Sequence, residues 1–231
     1  VEMGQGVNAK IAAVVARSLG IDAGLISIET TNTLRVANTS PTAASSGADM
    51  NGRAAELACR AIGERLRGVA AELLDVGTGH VSLADGRVRV DGVPADLAWE
   101  RLVWEAYTRR VSLSAQAHYA TPRIHYDRSR EQGEPFAYHV YGAAMVEVTV
   151  DCLRGTCSVD RVCAVHDAGR SLDALVDLGQ LEGGIVQGIG WMTMEELLFA
   201  DGRNLSATLS TYKIPDILAA PAIEAVFLDK A

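Results

Sequence analysis

The apolar positions of this chain change period several times, and each change predicts an element. From Val7 to Leu19 they recur at Val7, Ile11, Val14, Val15 and Leu19, the spacing of one helix face, and Gly20 follows as a C-terminal stop. Leu25–Ile28 alternates toward a short strand. A second helix is predicted from about Asp49 to Leu74. Its inner face carries Ala54, Leu57, Ala58, Ala61, Ile62, Leu66 and Val69, while Arg53, Glu56, Arg60, Glu64 and Arg67 face outward. Between Gly77 and Val93 the period drops to two: His80–Leu83 and Arg87–Val90 flank Asp85-Gly86, a hairpin signal. Pro94–Arg109 reads as a helix holding Trp99 and Trp104, and the chain from there to Arg130 reads as loop. The strongest strand signal, Phe136–Val150, returns past a Gly155 turn through Val159–Val165 as a long hairpin. A glycine-bearing helix over Leu178–Phe199 and a last hairpin over Gly202–Thr211 complete the reading.

Strands and helices mix without regular βαβ alternation, so the expected fold is α+β, with mixed sheets and packed helices. Two lobes are expected: residues 1–93, carrying Glu2-Met3-Gly4-Gln5-Gly6 and the Ser-Pro-Thr-Ala-Ala-Ser loop, and residues 94–231, carrying the long hairpin and the Gly-Gln-Leu-Glu-Gly helix. The linker candidates are Gly92-Val93-Pro94 and the charged run Asp127–Glu134.

Composition narrows the function. At 231 residues and 48% hydrophobic, the chain is long enough for a sizeable core. A formal charge of −8 with no Lys/Arg cluster argues against a nucleic-acid partner. No apolar run nears membrane-spanning length and no secretory signal is evident, so a soluble, cytoplasmic protein is expected. Cys59, Cys152, Cys157 and Cys163 contain no Cys-x-x-Cys and match no ferredoxin spacing, and are expected to be reduced thiols.

The chemistry-bearing positions are mostly neutral. Asn38-Thr39-Ser40-Pro41-Thr42-Ala43-Ala44-Ser45-Ser46-Gly47-Ala48-Asp49 is small and polar and leads into a helix, where unpaired N–H groups favour an anion; a generous helix cap is the plainer alternative. Gln5 and Gln180 each offer an amide beside glycines, which let a ligand approach the backbone. The five histidines show no helical metal-ligand spacing. His166-Asp167 lacks a Gly-x-Ser-x-Gly partner. Gly183–Gly190 fails the dinucleotide order, and Glu195-Glu196 fits a solvated helix flank. The chain thus offers groups that cradle a ligand without a nucleophile, base or metal ligand of its own, a combination natural to a protein that delegates its chemistry to a cofactor.

Glu2–Gly6, Asn38–Ser45 with Ala48-Asp49, His166–Leu172, Asp177–Gly183, Gln187–Gly190 and Ser210-Thr211-Tyr212-Lys213-Ile214-Pro215 together resemble, in order and spacing, the C-terminal molybdopterin-binding region of the xanthine dehydrogenase family of molybdenum hydroxylases. The resemblance covers essentially the whole chain. It implies a molybdenum–molybdopterin cofactor, with iron–sulfur clusters and FAD on other segments or subunits, and hydroxylation of hypoxanthine and xanthine to urate with electrons passed to NAD. It also implies as partners the rest of the molybdenum subunit, the iron–sulfur/FAD segment and a small purine substrate. Met3, Gly4 and Gln5 are similar to the turn that presents an amide beside the molybdenum–pterin head. Ala44, Ser45, Ser46 and Gly47 resemble the loop whose backbone meets the cofactor, and Gln180 a second amide reading a pterin edge.

The family's base is a Glu in a Gly-Glu-Pro motif beyond Tyr212–Pro215, and no such motif precedes Ala231. Val1 is not an initiator methionine. The chain is therefore expected to be a fragment, without a catalytic residue of its own and inactive alone. An aldehyde oxidase or another hydroxylase of the family, and a non-catalytic pterin-binding module, are the competing readings.

Overall fold

A computed structural model of the chain describes residues 1–34 and 45–228. Its contacts divide into two units, Val1–Ala137 and Tyr138–Ala231. The architecture is α+β, as expected. The units divide at 137/138 rather than at 93/94, because Val93 opens a strand hydrogen-bonded to its predecessor and the helix that follows packs on the same core.

The first unit is built on α1 (Val7–Leu19), α2 (Gly47–Leu74) and a three-stranded antiparallel sheet, β1 (Val81–Ala84), β2 (Arg87–Val90) and β3 (Val93–Ala98), followed by α3 (Trp99–Thr108). Leu66, Val69, Ala70 and Ala71 of α2 meet Val81, Val88 and Leu97 of the sheet and Leu102 and Ala106 of α3 in one buried cluster. Arg65 secures the chain after α3, its Nη1 donating to the carbonyls of Ser112 at 2.5 Å and Ser114 at 2.9 Å. A small hairpin, β4 (His125–Asp127) and β5 (Gln132–Glu134), ends the unit.

α1 and α2 run parallel. A Cβ on Gly52 would lie 3.7 Å from Val14 Cγ2 and 3.8 Å from Ile11 Cδ1, and farther along both helices Leu19 and Ile62 line one open apolar cleft of about 540 Å³. Ile11 is about 6 Å along α1 and Gly52 about 7.5 Å along α2, at 1.5 Å of rise per residue. The helices therefore start level with each other. At their far end Gly20 stops α1 in the left-handed region and its carbonyl accepts the Gly86 N–H at 2.7 Å, which seats α1 on the β1–β2 turn.

The second unit carries β6 (Gly142–Asp151), β7 (Thr156–His166), α4 (Ala174–Thr193), a two-residue hairpin β8 (Phe199–Ala200) and β9 (Arg203–Asn204), and β10 (Ala222–Phe227). β7 is central, antiparallel to β6 and parallel to β10, so this sheet is mixed. Val162 and Ala164 are buried on one face of β7; the opposite face holds an Arg161–Glu224 ion pair at 2.6 Å.

Several expectations shift at this level. Leu25–Ile28 is no strand: Ala23–Leu25 forms a single tight turn capped by Asp22, whose carboxylate accepts the Gly24 N–H. Pro94–Ala98 is β3 rather than helix. The last hairpin closes at Asp201-Gly202 and does not extend to Thr211. β10 adds a strand that the sequence reading left out.

Candidate functional site

Glu2–Gly6 folds into a turn held by its own side chains. Gly4 takes a φ of +103°, a conformation suited to glycine, and a Cβ there would meet nothing within 4 Å, so the backbone is open to a ligand. Gln5 Oε1 accepts the Met3 N–H at 2.6 Å and Gln5 Nε2 donates to the Val1 carbonyl at 2.9 Å. An amide group has two donors and two acceptor sites. Gln5 thus keeps one of each after its internal bonds. Met3 is 60% exposed beside it.

Glu2 is the residue that the sequence reading passed over. Its Oε1 accepts from the N–H groups of Gly4 at 2.7 Å and Gly6 at 3.0 Å, and its Oε2 accepts from Asn8 at 3.0 Å. These bonds, Asn8 first and Gly6 next, hold the carboxyl below the ordinary glutamate range. Glu2 therefore answers the positive end of α1 from within the protein. The signal in the sequence was an acidic residue just ahead of a glycine turn and an apolar-periodic helix.

Ser45, Ser46 and Gly47 form the approach to α2. Ser45 has a φ of +54°, Ser46 is the cap, its carbonyl accepting the Met50 N–H at 3.0 Å, and Gly47 is buried at the first helical position. Ala44 and the rest of the loop, residues 35–44, lie outside the described residues. Because α1 and α2 start level, Met3–Gln5 and Ser45–Gly47 are delivered to the same end of the helix pair. Packed helices stand roughly 8–10 Å apart. Two stretches remote in sequence thus share one end of the first unit.

Gln180 belongs to the second unit and is exposed on α4. Asp173 caps that helix by accepting the Val176 N–H at 3.1 Å, and Asp177 accepts from the Ser171 hydroxyl at 2.6 Å. Asp167, of the His166-Asp167 pair, is buried and accepts the Gly169 N–H at 2.9 Å, a turn-forming role. At the other end of α4 the Tyr212 hydroxyl donates to Glu195, which pushes the phenol's pKa up, and Pro215 lies against Gly190.

Among the described residues no group of three or more His, Cys, Asp or Glu side chains could hold a metal ion, and no helix is long and apolar enough to cross a membrane. What the first unit presents is a neutral amide with spare donor and acceptor capacity, an open glycine backbone and a helix start. Residues 1–221 match the molybdopterin cofactor-binding domain family. The chain belongs to that family. The residues present fit such a ligand: a pterin edge alternates donors and acceptors, Gln5 keeps one of each, and an open backbone at Gly4 admits a flat ring.

Among curated relatives of this domain, the xanthine dehydrogenase/oxidase of Mus musculus is 41% identical over 215 residues, 93% of this chain and 14% of that protein. Aldehyde oxidase 2 of Macaca fascicularis is 37% identical over 221 residues, 95% of this chain and 15% of that protein. The domain therefore spans a small part of these relatives' length. Among solved structures it is similar to quinoline 2-oxidoreductase from Pseudomonas putida 86, with a TM-score of 0.81 and 27% identity over 99% of this chain and 29% of that one.

Proposed function

We propose that this domain holds molybdopterin within a molybdenum hydroxylase of the xanthine dehydrogenase type, acting on hypoxanthine and xanthine. The observation that carries this is the 41% identity to a xanthine dehydrogenase/oxidase across nearly the whole chain. When bound, the molybdenum cofactor supplies hydroxylation of an electron-poor carbon and takes up the electrons released. Iron–sulfur clusters and FAD on other parts of the enzyme would carry those electrons to NAD.

The domain's own residues bind and orient. Gln5 directs one donor and one acceptor at the cofactor while its internal bonds fix the amide plane. Ser45, Ser46 and Gly47 supply backbone N–H groups at the start of α2; Ala44, named with them by the resemblance, lies outside the described residues. Gln180, on α4 of the second unit, offers a further exposed amide of the kind the resemblance assigns to a pterin edge. Neutral hydrogen bonds contribute roughly 0.5–1.5 kcal/mol each, so retention rests on several acting on one rigid ligand.

The 37% identity to an aldehyde oxidase supports a second reading, in which the same cradle serves an aldehyde substrate. Purified full-length enzyme assayed for urate formation from xanthine and for carboxylate formation from an aromatic aldehyde separates the two. Urate as the preferred product is expected; preferential aldehyde oxidation would favour the second reading. In the same enzyme Gln5→Ala is expected to lower the molybdenum-to-protein ratio or turnover with no change in far-ultraviolet circular dichroism. Unchanged metal content and activity would count against the site.

A further inference from the structure

We infer that Glu2 is a positioning residue for the cofactor, acting through Gln5. The inference rests on the reading of Gln5 as a cofactor-facing amide, and concerns what keeps that amide aimed. Gln5 stands between two glycines, Gly4 and Gly6, which by themselves would leave it free to swivel. One carboxylate oxygen of Glu2 accepts from both of them, at 2.7 and 3.0 Å, and the other accepts from Asn8, the second residue of α1, at 3.0 Å. The backbone on either side of Gln5 is thereby tied to a single rigid group, and that group is tied to the helix. With the backbone fixed, Gln5 folds back over the turn onto the Met3 N–H and the Val1 carbonyl. Its remaining donor and acceptor are then held at fixed places.

The chemistry of the holder matters. An ionised carboxylate has acceptors on both oxygens and no donor, and its bonds to N–H groups are charge-assisted. A glutamine in its place has one acceptor oxygen and turns an NH2 group toward either the glycines or Asn8, so one side of the clasp is lost. Glu2 touches no reacting atom; its effect is on where Gln5 points. A residue that acts through another has a specific signature, because the two substitutions fail to add.

The test uses the full-length holoenzyme in five forms: parent, Glu2→Gln, Glu2→Ala, Gln5→Ala and the Glu2→Ala/Gln5→Ala double variant. Molybdenum per protein is measured by mass spectrometry, the Mo(V) signal by electron paramagnetic resonance, and helix content by circular dichroism. Glu2→Ala and Gln5→Ala should each reduce metal occupancy, on the order of threefold to tenfold for one or two hydrogen bonds, and shift the Mo(V) signal alike. The double variant should be no worse than Gln5→Ala. Glu2→Gln, which keeps the side-chain shape, should retain helix content and yet show the same shifted signal. Losses that add in the double variant would overturn the proposal by making Glu2 an independent structural support. So would an unaltered signal in both Glu2 variants beside an altered one in Gln5→Ala. An unaltered Gln5→Ala enzyme would overturn the cofactor site itself, and this inference with it.

Discussion

Two glycines on neighbouring helices have opposite constraints. Gly20 ends α1 at a φ of +67°, and a Cβ there would sit 2.3 Å from the Leu83 carbonyl oxygen. Gly20→Ala should therefore destabilise the first unit by more than the roughly 1–2 kcal/mol of the left-handed backbone alone. Gly52 lies inside α2, where an added Cβ makes ordinary contacts at 3.7 and 3.8 Å with Val14 and Ile11. Replacing it with Ala should stabilise by up to about 1 kcal/mol through helix propensity. Urea denaturation of the two variants checks both signs, and a loss of stability in Gly52→Ala would mean that α1 and α2 have no slack to accept a methyl group. At this scale the sequence was partly legible. Gly20 announced itself by position. Glu2 was legible only as an acidic residue ahead of a helix; which N–H groups it would take was not, because the direction of a side chain in a turn is set by backbone angles that residue identity does not encode.

Elements were legible in proportion to their length and to the strength of their period. α1 was read to the residue, α2 two residues short at its start, and both hairpins of uniform alternation were found. β3 was hidden because Pro94 interrupts it and its register with β2 shifts between Arg87 and Arg89, which spoils the alternation. β10 was hidden because parallel pairing to β7 needs no local turn to announce it, although Ile223, Ala225 and Phe227 alternate with exposed Ala222, Glu224 and Val226. β4 and β5 are too short to carry a period. α4 is a different kind of element. It is apolar around its circumference, yet only Gly190 is buried, and Leu175, Trp191 and Met192 are all at least 76% exposed. Helices of this composition are enclosed in mature folds. Gly190 marks where α4 is already engaged: a Cβ would fall 2.4 Å from Pro215 Cδ and from Glu195 Oε1. Gly190→Ala should cost about 1–3 kcal/mol as an overpacked contact and loosen the Tyr212–Pro215 segment. Limited proteolysis around Lys213 is the readout; cleavage at the parent rate would show that the contact is slack.

The whole molecule carries a set of carboxylates whose native partners hold them ionised. Backbone N–H groups from Asn8 and Gly6 lower the pKa of Glu2, Arg53 that of Glu56, the Ser129 hydroxyl that of Asp127, the Arg154 and Leu153 N–H groups that of Asp151, and the Thr149 hydroxyl that of Asp160. A carboxyl with a depressed folded-state pKa stabilises the native state fully above its unfolded value, near pH 4, and loses that contribution as pH falls through the folded value. The thermal midpoint should hold steady from neutrality to about pH 5 and decline below about pH 4. A midpoint unchanged down to pH 3 would show that these bonds persist in the unfolded ensemble. The mixed sheet has a consequence in time as well as in space. β7 is its central strand, but one of its neighbours, β10, begins at Ala222, long after β7 ends at His166. While the ribosome is still making α4 and the residues after it, β6 and β7 form a ribbon without the third strand of their sheet, and a two-stranded ribbon alone is marginal in water. The parallel edge of β7 stays open until Ala222–Phe227 emerges. Ribosome pauses in that interval would leave the nascent chain with a waiting template, and there trigger-type chaperones would have most to protect.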